Sequence, residues 1–566
     1  MRLRCITFAC AALVLVRGVA FATPAEPTPP GYACATAHPL ATQACMQMLA
    51  GGGNAFDAAV AASAALAVVE PTGSGLGGGG FWLLHRASDR REVLVDGRET
   101  APARAARDMY VGADAKPDDR LSRYGVLAAA IPGEPAALEH IARRYGSRSL
   151  ADLLQPAIAY ARDGFAIDAK LARAIVAQQA QLSWAAKKVF TPDDVPLAEG
   201  ALLKQPDLAW TLERLAKDGR SGFYEGEVAE RLLQAVERAG GLWSAADLRR
   251  YAVVEREPVI TWFRGYRIVS SPPPSAGGVA LAEVFQQLEV LGWRDDGSAQ
   301  AQHRLIESLR RAYRDRAAYL GDPDFLPIPM QRLTGRSRAI TLASTIAADR
   351  ATPSASLAPA PLTPEGTDTT HLSVLDAQGN RVAATLSINL PFGSGFMAPG
   401  TGVLLNDEMD DFASAVGVAN AYGLVGSEAN AIAPNKRPLS SMTPTFVEGP
   451  RGLLVIGTPG GSRIITMVIQ GILSWIGGLD AEAIVARPRL HHQYLPDVVQ
   501  LEPGFAGNLE TLSGMGHSIA PLEQRWGNLQ VVTWDPRADR LQAASDPRGV
   551  GAAAVRLSAP ADATGP

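Results

Sequence analysis

The amino-acid sequence predicts a layered α/β sandwich. Strand patterns and helix patterns are mixed along the chain, without the strict alternation of strand and helix that a doubly wound parallel sheet requires. The chain has 566 residues, of which 47% are hydrophobic, so it can bury a core larger than that of one typical domain. A glycine-rich turn, Gly73–Gly80, follows a helix pattern and precedes a strand pattern.

Residues 54–99 are predicted to contain one helix and one pair of strands. Ala and Val dominate Asn54–Val69, which predicts a helix buried on nearly all sides because almost no polar face remains. The apolar runs Phe81–Leu84 and Glu92–Asp96 predict two neighbouring strands, the second of which leads directly into Gly97-Arg98-Glu99.

The middle of the chain, from about residue 135 to residue 320, is predicted to be mostly helical. Apolar residues recur there with helical spacing over 136–145, 150–163, 279–291 and 303–320. The pattern changes at 351–368, where four prolines stand among Ala, Ser and Thr without an apolar period. We expect this segment to be an extended, solvated linker.

The sequence after the linker predicts a hairpin. His371–Asp376 alternates between polar and apolar residues, Gln378–Asn380 supplies a turn, and Arg381–Asn389 returns as a second strand. Further on, Leu453–Gly457 predicts a strand and Ile464–Ile476 a helix, joined by a tight glycine-containing turn.

The N-terminal residues have the pattern of a signal peptide. Two arginines lie within the first four residues, the apolar run Cys5–Val16 follows, and Ala20-Phe21-Ala22 supplies the small residues of a cleavage site. The apolar run is too short to cross a bilayer as a helix. We therefore predict a signal peptide over residues 1–22, no stable membrane anchor, and a periplasmic or secreted protein.

The chain has only four cysteines, two of them in the predicted signal peptide. A disulfide between the other two, Cys34 and Cys45, is possible. Their Ala-rich surroundings indicate a helix, so the sequence favours two buried thiols.

Composition and motifs exclude several classes of function. A net charge of -4 gives no basic surface for nucleic acid. Gly73–Gly78 fits G-x-G-x-x-G, with Asp96 further on, but a dinucleotide site needs a strand before the motif and a helix after it, and here the order is reversed. The histidines are scattered, and the adjacent His491 and His492 would point to opposite faces of a strand, so no metal site is expected. No G-x-S-x-G motif is present.

Thr369 is the candidate nucleophile that remains. It stands at the start of a predicted strand and directly after the linker, so a cut before it would free its α-amine to act as the base for its own hydroxyl. An α-amino group has a reference pKa of about 7.7 to 8.0, so near neutral pH a useful fraction can accept a proton. The alternative is that Thr369 is an ordinary strand threonine.

Several motifs in order resemble those of the γ-glutamyltransferase family, whose members are self-cleaving N-terminal-nucleophile hydrolases. The resemblance implies a four-layer αββα sandwich formed by two chains cut from one precursor. It implies cleavage between Asp368 and Thr369, giving a large subunit over 23–368 and a small subunit over 369–566. The matching motifs are Gly51–Ala59, Leu76–Phe81, Asp96–Glu99, Thr369–Val374, Asn406–Phe412, Pro434–Met442 and Thr458–Arg463.

By this resemblance Thr369 is the nucleophile both of maturation and of turnover. Ser387 stands where the family more often has Thr, and it keeps the hydroxyl that would bond to the nucleophile or its amine. Gly460 and Gly461 lie before the predicted helix, where backbone N–H groups can form an oxyanion hole. The segment Ala413–Ser427, with Tyr422, resembles the lid loop of some members and would exclude water.

A γ-glutamyl group also carries an α-carboxylate and an α-amine. The planar guanidinium of Arg98 suits the carboxylate, and serine hydroxyls can add donors. Carboxylates suit the ammonium, although on their own they indicate only a solvated acidic loop. The residues expected to bind substrate beside Arg98 are Ser387, Asn389, Glu408, Asp411, Ser440, Ser441 and Gly461.

The expected function is transfer of the γ-glutamyl group of glutathione or a related amide through a Thr369 acyl-enzyme. The acceptor would be water, an amino acid or a dipeptide, and no metal or organic cofactor is expected. One alternative is a cephalosporin or glutaryl acylase of the same fold, and another is an uncleaved, inactive periplasmic binding homologue.

Overall fold

The structure is a computed structural model. It describes residues 28–112, 118–357, 369–413 and 427–558. The predicted signal peptide, Asp368 and most of the predicted linker and lid segments lie outside the described residues.

The described residues form eighteen β-strands, which are numbered in chain order. They are β1 Gly31–Thr36, β2 Gly79–Arg86, β3 Arg91–Gly97, β4 Phe165–Ala166, β5 Leu202–Leu203, β6 Val254–Arg256, β7 Val259–Phe263, β8 Tyr266–Ser270, β9 Thr370–Leu375, β10 Arg381–Ser387, β11 Thr445–Gly449, β12 Gly452–Gly457, β13 Leu490–His491, β14 Val499–Leu501, β15 Ile519–Pro521, β16 Gln530–Asp535, β17 Arg540–Ser545 and β18 Ala552–Leu557.

The described part of the chain also forms eighteen α-helices, besides short 3-10 turns such as Glu408–Asp411. The α-helices are α1 Pro39–Ala50, α2 Ala55–Val69, α3 Asp119–Arg123, α4 Glu134–Arg144, α5 Leu150–Asp163, α6 Ala169–Gln178, α7 Trp184–Phe190, α8 Pro206–Asp218, α9 Ser221–Tyr224, α10 Gly226–Arg238, α11 Ala245–Arg250, α12 Gly277–Val290, α13 Ala299–Tyr319, α14 Met330–Leu333, α15 Arg336–Ser344, α16 Arg463–Ile476, α17 Ala481–Ala486 and α18 Leu509–Gly514.

Two sheets stack face to face and are covered by helices, which confirms the predicted four-layer sandwich. The first sheet has the strand order β18-β1-β9-β10-β2-β3-β6, and the second has the order β17-β16-β12-β11-β8-β7. Helices α1, α2, α4, α5 and α8 share one hydrophobic core with the outer face of the first sheet. Helices α12, α13 and α16 share a second core with the second sheet and with the inner face of the first.

The hairpin predicted after the linker is present as β9 and β10. The two strands pair antiparallel, with Thr370 opposite Leu386 and His371 opposite Thr385. Because side chains alternate across a strand, Leu372 faces the helix-covered core, whereas residues on either side of it face the second sheet. The same alternation assigns Thr369, one residue before β9, to the side that faces the second sheet.

The predicted helix over Asn54–Val69 is confirmed as α2, and every one of its residues is buried. Its N-terminus is closed by a capping box in which the Asn54 side chain accepts from the N–H of Asp57, while Asp57 accepts from the N–H of Asn54. Asp57 also accepts hydrogen bonds from the segment before α5, so its charge is satisfied although it lies in the core.

Residues 135–320 are mostly helical, as expected, but they also contain five strands that were not predicted. The two-residue strands β4 and β5 pair with each other. β6 joins the edge of the first sheet, and β7 and β8 form one side of the second. Along β7 buried residues alternate with exposed ones, ending in a buried Phe263 and including an exposed Trp262. This two-residue period is the strand signal that the helical neighbours obscured.

The expectation of two buried thiols is wrong, because Cys34 and Cys45 form a disulfide. Cys34 lies on β1 and Cys45 on α1, with their Cα atoms 6.6 Å apart. The Ala-rich pattern did mark a helix, but only for the second cysteine. The turn between β1 and α1 brings the helix back against the strand, and this contact cannot be read from local pattern.

No helix within the described ranges is both long enough and apolar enough to cross a membrane.

We predict that removal of this disulfide lowers stability without changing the fold. The bond closes a loop of 11 residues, so Cys34→Ala/Cys45→Ala should reduce the free energy of unfolding by about 2 to 3 kcal/mol. Urea unfolding followed by circular dichroism measures the change. A urea midpoint equal to that of the wild-type protein with its disulfide intact would show that the disulfide does not contribute to stability.

Candidate active site

One small cavity brings together most of the residues that the sequence singled out. Its volume is about 20 Å³, room for little more than one water molecule. Of the predicted residues, Gly460 and Glu408 do not line it, and Asp368 lies outside the described residues. The lining residues are Arg98, Thr369, Ser387, Asn389, Asp411, Ser440, Ser441, Met442, Gly461 and Ile464.

Thr369 and Ser387 meet because of the strand pairing. Thr369 precedes the first residue of β9 and Ser387 is the last residue of β10, so both fall at the same end of the hairpin and line the same cavity. The Ser387 hydroxyl accepts a hydrogen bond of 2.8 Å from the N–H of Asn389. Asn389 has a positive φ of 76° and donates through its side chain to the Asp407 carbonyl.

Arg98 lies at the centre of a buried ion group. It follows β3, and its guanidinium donates 2.5 Å to Glu408 and a second, short hydrogen bond to Asp411. Two further N–H groups point at the carbonyl oxygens of Pro438 and Leu439, at 3.3 and 3.4 Å. The predicted carboxylate-binding cation and the predicted ammonium-binding acids are therefore paired with each other in this structure.

One guanidinium and three carboxyl groups make up this buried group. Burial alone would lower the pKa of Arg98, but the carboxylates of Glu408, Asp411 and Glu99 outweigh it and raise that pKa above its ordinary value. Burial, and then the charge of Glu408, raises the pKa of Glu99 well above its usual range. Burial likewise raises the pKa of Asp411, against the attraction of Arg98. Arg98 therefore stays charged, and Glu99 and Asp411 retain protons more readily than they would in water.

Glu99 belongs to the Asp96–Glu99 motif, but the sequence predicted no role for it. It is fully buried, and its carboxyl group lies 3.5 Å from the Arg98 guanidinium. Its position directly after Arg98 was the available signal. Met442 and Ile464 were also missed as lining residues, because apolar side chains beside a site look the same in sequence as core residues.

Gly460 and Gly461 form the turn before α16. Their φ angles of 136° and 56° lie where glycine is strongly favoured, which explains the Gly-Gly pair. The turn is closed by hydrogen bonds from Arg463 N–H to Gly460 and from Ile464 N–H to Gly461, at 3.1 and 3.0 Å. Gly461 faces the cavity and Gly460 does not line it, so their oxyanion role stays a prediction.

Ser440 reaches the cavity from a segment tied to the second sheet. It forms an isolated bridge with Ser275, and its N–H donates 2.9 Å to the Pro274 carbonyl. Its hydroxyl accepts from Met442 N–H at 3.1 Å, and Ser441 lines the cavity beside it.

His371 is the histidine nearest to Thr369 in sequence, but it is not placed to act as its base. Its ring bonds to the hydroxyls of Thr385 and Ser373 at 2.8 and 3.2 Å. Burial lowers its pKa to about 3, so the ring is neutral. It fills the space above Gly457, where an added Cβ would lie 2.1 Å from the ring.

The fold assembles one cluster that the scattered histidines did not predict. His303 and His517 bond ring to ring at 2.8 Å, and Glu307 lies close to both. These groups already have partners: His303 bonds to the Ala347 carbonyl, and Glu307 forms ion pairs with two arginines of α13. The neighbouring guanidinium groups disfavour a cation there, so we interpret the cluster as structural. His491 and His492 bond to different residues, Thr466 and Asp497.

Comparison with known proteins gives consistent matches over most of the chain. The family model described as Gamma-glutamyltranspeptidase matches residues 41–556. The glutathione hydrolase proenzyme of Escherichia coli (strain K12) is 42% identical over 90% of this chain and 89% of its own length. The crystal structure of cephalosporin acylase from Bacillus halodurans matches with a TM-score of 0.81 at 26% identity, over 96% of this chain and 99% of that one. That of Helicobacter pylori gamma-glutamyltranspeptidase matches with a TM-score of 0.55 at 37% identity, over 57% of this chain and 93% of that one.

We predict that Arg98 stabilises the fold by balancing buried charge. Arg98→Met leaves Glu408 and Asp411 without their cation, which should cost about 3 to 5 kcal/mol of unfolding free energy. The triple variant Arg98→Met/Glu408→Gln/Asp411→Asn should recover part of it.

The pH dependence of the stability of Arg98→Met tests whether the unpaired carboxyl groups cause its loss of stability. An acid whose pKa is raised in the folded state stabilises the fold while it is protonated, and that contribution is lost as pH rises through its folded pKa. Thermal unfolding should therefore show a larger deficit for Arg98→Met at pH 8 than at pH 5. Equal deficits in the single and triple variants would contradict the explanation.

Proposed function

Because the chain belongs to the gamma-glutamyltranspeptidase family, we propose that Thr369 is the nucleophile of a self-processing γ-glutamyltransferase and glutathione hydrolase. The donor is glutathione or a related γ-glutamyl amide, and the acceptor is water, an amino acid or a dipeptide. The observation that carries the proposal is the cavity in which Thr369 lies with both a buried cation, Arg98, and a buried acid, Asp411.

The buried ion group matches the charges of the donor. Arg98 can exchange its bonds to Glu408 and Asp411 for bonds to the α-carboxylate, while the two acids turn to the α-ammonium. Glu408 Oε1 and Asp411 Oδ1 are buried and accept no hydrogen bond from the described residues, so each has an acceptor site available. A zwitterion adds no net charge, and the exchange therefore leaves the buried charge unchanged.

The chemical steps need only groups around Thr369. The hydroxyl oxygen bonds to the γ-carbonyl carbon while its proton passes to the free α-amine of Thr369. Ser387 orients this pair, and backbone N–H groups at Gly460 and Gly461 stabilise the oxyanion by about 3 to 4 kcal/mol. The scissile C–N bond then breaks as the α-amine returns the proton to the leaving nitrogen. Water or an acceptor amine attacks the ester by the reverse proton path.

Maturation follows from the same nucleophile. The Thr369 hydroxyl oxygen bonds to the Asp368 carbonyl carbon, and the Asp368–Thr369 C–N bond breaks as the hydroxyl proton passes to the Thr369 nitrogen. Water then hydrolyses the resulting ester, and the cut divides the protein into residues 23–368 and 369–566. Removal of residues 1–22 on export completes the mature form. The Cys34–Cys45 disulfide supports export, because disulfides persist in oxidising compartments such as the periplasm or the exterior.

The acylase alternative has its own support in the match to a cephalosporin acylase. A glutaryl donor has no α-amine, so it has no use for a buried acid. Asp411 and Glu408, both held at Arg98, therefore favour the γ-glutamyl donor. An inactive binding homologue would have no need of Thr369 in the cavity.

The proposed maturation can be tested on the purified protein. The purified chain should split spontaneously, and N-terminal sequencing of the smaller fragment should begin Thr-Thr-His. Thr369→Ala should remain one band on a denaturing gel, because both the cleavage and turnover need the hydroxyl. A fragment with another N-terminus, or cleavage of Thr369→Ala at the same bond, would overturn the assignment.

A variant at Asp411 distinguishes γ-glutamyl donors from glutaryl donors. Asp411→Asn keeps the shape but removes the charge that would face the ammonium, so kcat/KM for a γ-glutamyl anilide should fall about ten- to a hundredfold. A glutaryl anilide, which lacks the amine, should lose much less. The assay compares both anilides with mature wild-type and variant enzymes.

Asp410→Asn is the matched control. Asp410 is the adjacent carboxylate, but it bonds to Ser122 and Arg123 rather than to Arg98. Its loss should affect both donors equally. An equal fall of both donors with Asp411→Asn would return support to the acylase alternative.

A further inference from the structure

Behind the nucleophile lies a chain of polar contacts that the reaction above does not use. The Thr370 hydroxyl donates 2.6 Å to Oε2 of Glu70, and Lys170 Nζ donates 2.8 Å to Oε1 of the same carboxylate. Thr370 is fully buried and Glu70 is 5% exposed, whereas the Lys170 side chain is 36% exposed. The three residues come from β9, the end of α2 and α6.

This chain approaches the nucleophile from the side opposite the substrate. Thr369 faces the cavity, and the next residue, Thr370, points through the sheet towards the helical layer. Glu70 caps the C-terminus of α2, and its carbonyl accepts from Gly73 and Ser74 N–H. A Cβ added at Gly73 would lie 3.1 Å from the Thr369 carbonyl oxygen and 3.3 Å from the Glu70 carboxyl carbon. Only one methyl-sized position therefore separates Glu70 from the Thr369 backbone.

We propose that Glu70, Thr370 and Lys170 form a positioning unit that fixes the backbone of Thr369 and tunes the basicity of its α-amine. The proposal rests on the proposed function, since only a cut before Thr369 creates that amine. Glu70 acts through Thr370 and through its charge, and touches neither substrate nor reacting atoms. The Thr370 bond holds the start of β9 in one register, so that the Thr369 hydroxyl and amine keep the mutual orientation that proton transfer needs.

Charged groups lie on both sides of the sheet at Thr369 and Thr370. On the cavity side are Arg98, Glu99, Glu408 and Asp411, where the cation offsets much of the negative charge. On the helical side Glu70 is offset by Lys170. Beyond this pair, His38 lies 3.8 Å from Asp168, and burial lowers the pKa of His38, so that ring stays neutral in the working range.

The two charges of the unit act on the amine in opposite directions. A nearby carboxylate favours the ammonium form and raises the pKa of the amine, and a nearby cation lowers it. The unprotonated amine is the active base, so its pKa sets the acidic limb of the profile of kcat/KM against pH. Lys170 therefore moderates the effect of Glu70 and keeps the amine active near neutral pH.

The main experiment compares pH profiles of mature wild type, Glu70→Gln and Lys170→Met with a γ-glutamyl anilide. Glu70→Gln should move the acidic limb to lower pH by about 0.5 to 1 unit, and Lys170→Met should move it to higher pH. Glu213→Gln and Lys217→Met, at exposed positions of α8, are matched charge controls and should leave the limb in place. A merely structural defect would lower kcat/KM at every pH. It would not move the acidic limb in opposite directions in Glu70→Gln and Lys170→Met.

A second pair of variants tests the hydrogen bond itself. Thr370→Val keeps the shape but leaves Glu70 Oε2 without its donor, so kcat should fall about tenfold while KM changes less than about threefold. Thr370→Ser restores the hydroxyl and should restore kcat to within about threefold of wild type. The fraction of each variant that self-cleaves is read from a denaturing gel.

The outcomes separate the two proposals. If wild type splits and turns over but the limb is unmoved, or moves in the same direction in Glu70→Gln and Lys170→Met, the positioning unit is overturned and the proposed function stands. The same holds if Thr370→Val keeps the wild-type kcat. If wild type itself is not cut at Thr369, no α-amine forms and both proposals fail together.

Discussion

The buried guanidinium of Arg98 is the constraint on which the site depends. Taking an ion out of water costs several kcal/mol, and this cost is met only when the ion is paired and its N–H groups are all directed at acceptors. Glu408, Asp411 and the carbonyls of Pro438 and Leu439 supply those acceptors. These residues lie more than three hundred positions from Arg98 in sequence, so the ion group fixes the end of β3, the 3-10 turn Glu408–Asp411 and the 438–441 segment around one point.

The two faces of the first sheet make different contacts around Thr369. The face towards the second sheet carries the cavity, with Ser387 and Gly461 beside Thr369. The opposite face carries Thr370 and its bond to Glu70, backed by the fully buried helix α2. Because successive side chains of a strand must alternate, the proposed nucleophile Thr369, directly before β9, has a neighbour that points into the supporting layer. A rigid strand can therefore present a reactive residue on one side and be anchored from the other.

Local pattern was enough to predict the elements that position the site. The β9–β10 hairpin, the helix α2 and the turn before α16 follow from periodicity and glycine placement. The resemblance to a known family then indicated the lining residues of the cavity other than Met442 and Ile464. The Cys34–Cys45 bond, the strands β7 and β8 and the Glu70–Thr370 contact were not predicted. Each of these depends on which segments the folded chain brings together, and short-range spacing carries no information about that.

The ion group also explains why the proposed site would favour a donor that carries both charges. A carboxylate alone would add negative charge beside the three carboxyl groups around Arg98, and an ammonium alone would face the guanidinium unshielded. A molecule that carries both charges can take over the Arg98 bonds with one end and the Glu408 and Asp411 bonds with the other. The pairing within the empty site therefore resembles the pairing that a zwitterion would make with it. Selection for a donor with both groups thus follows from the requirement that the buried charge stay balanced while the pocket opens.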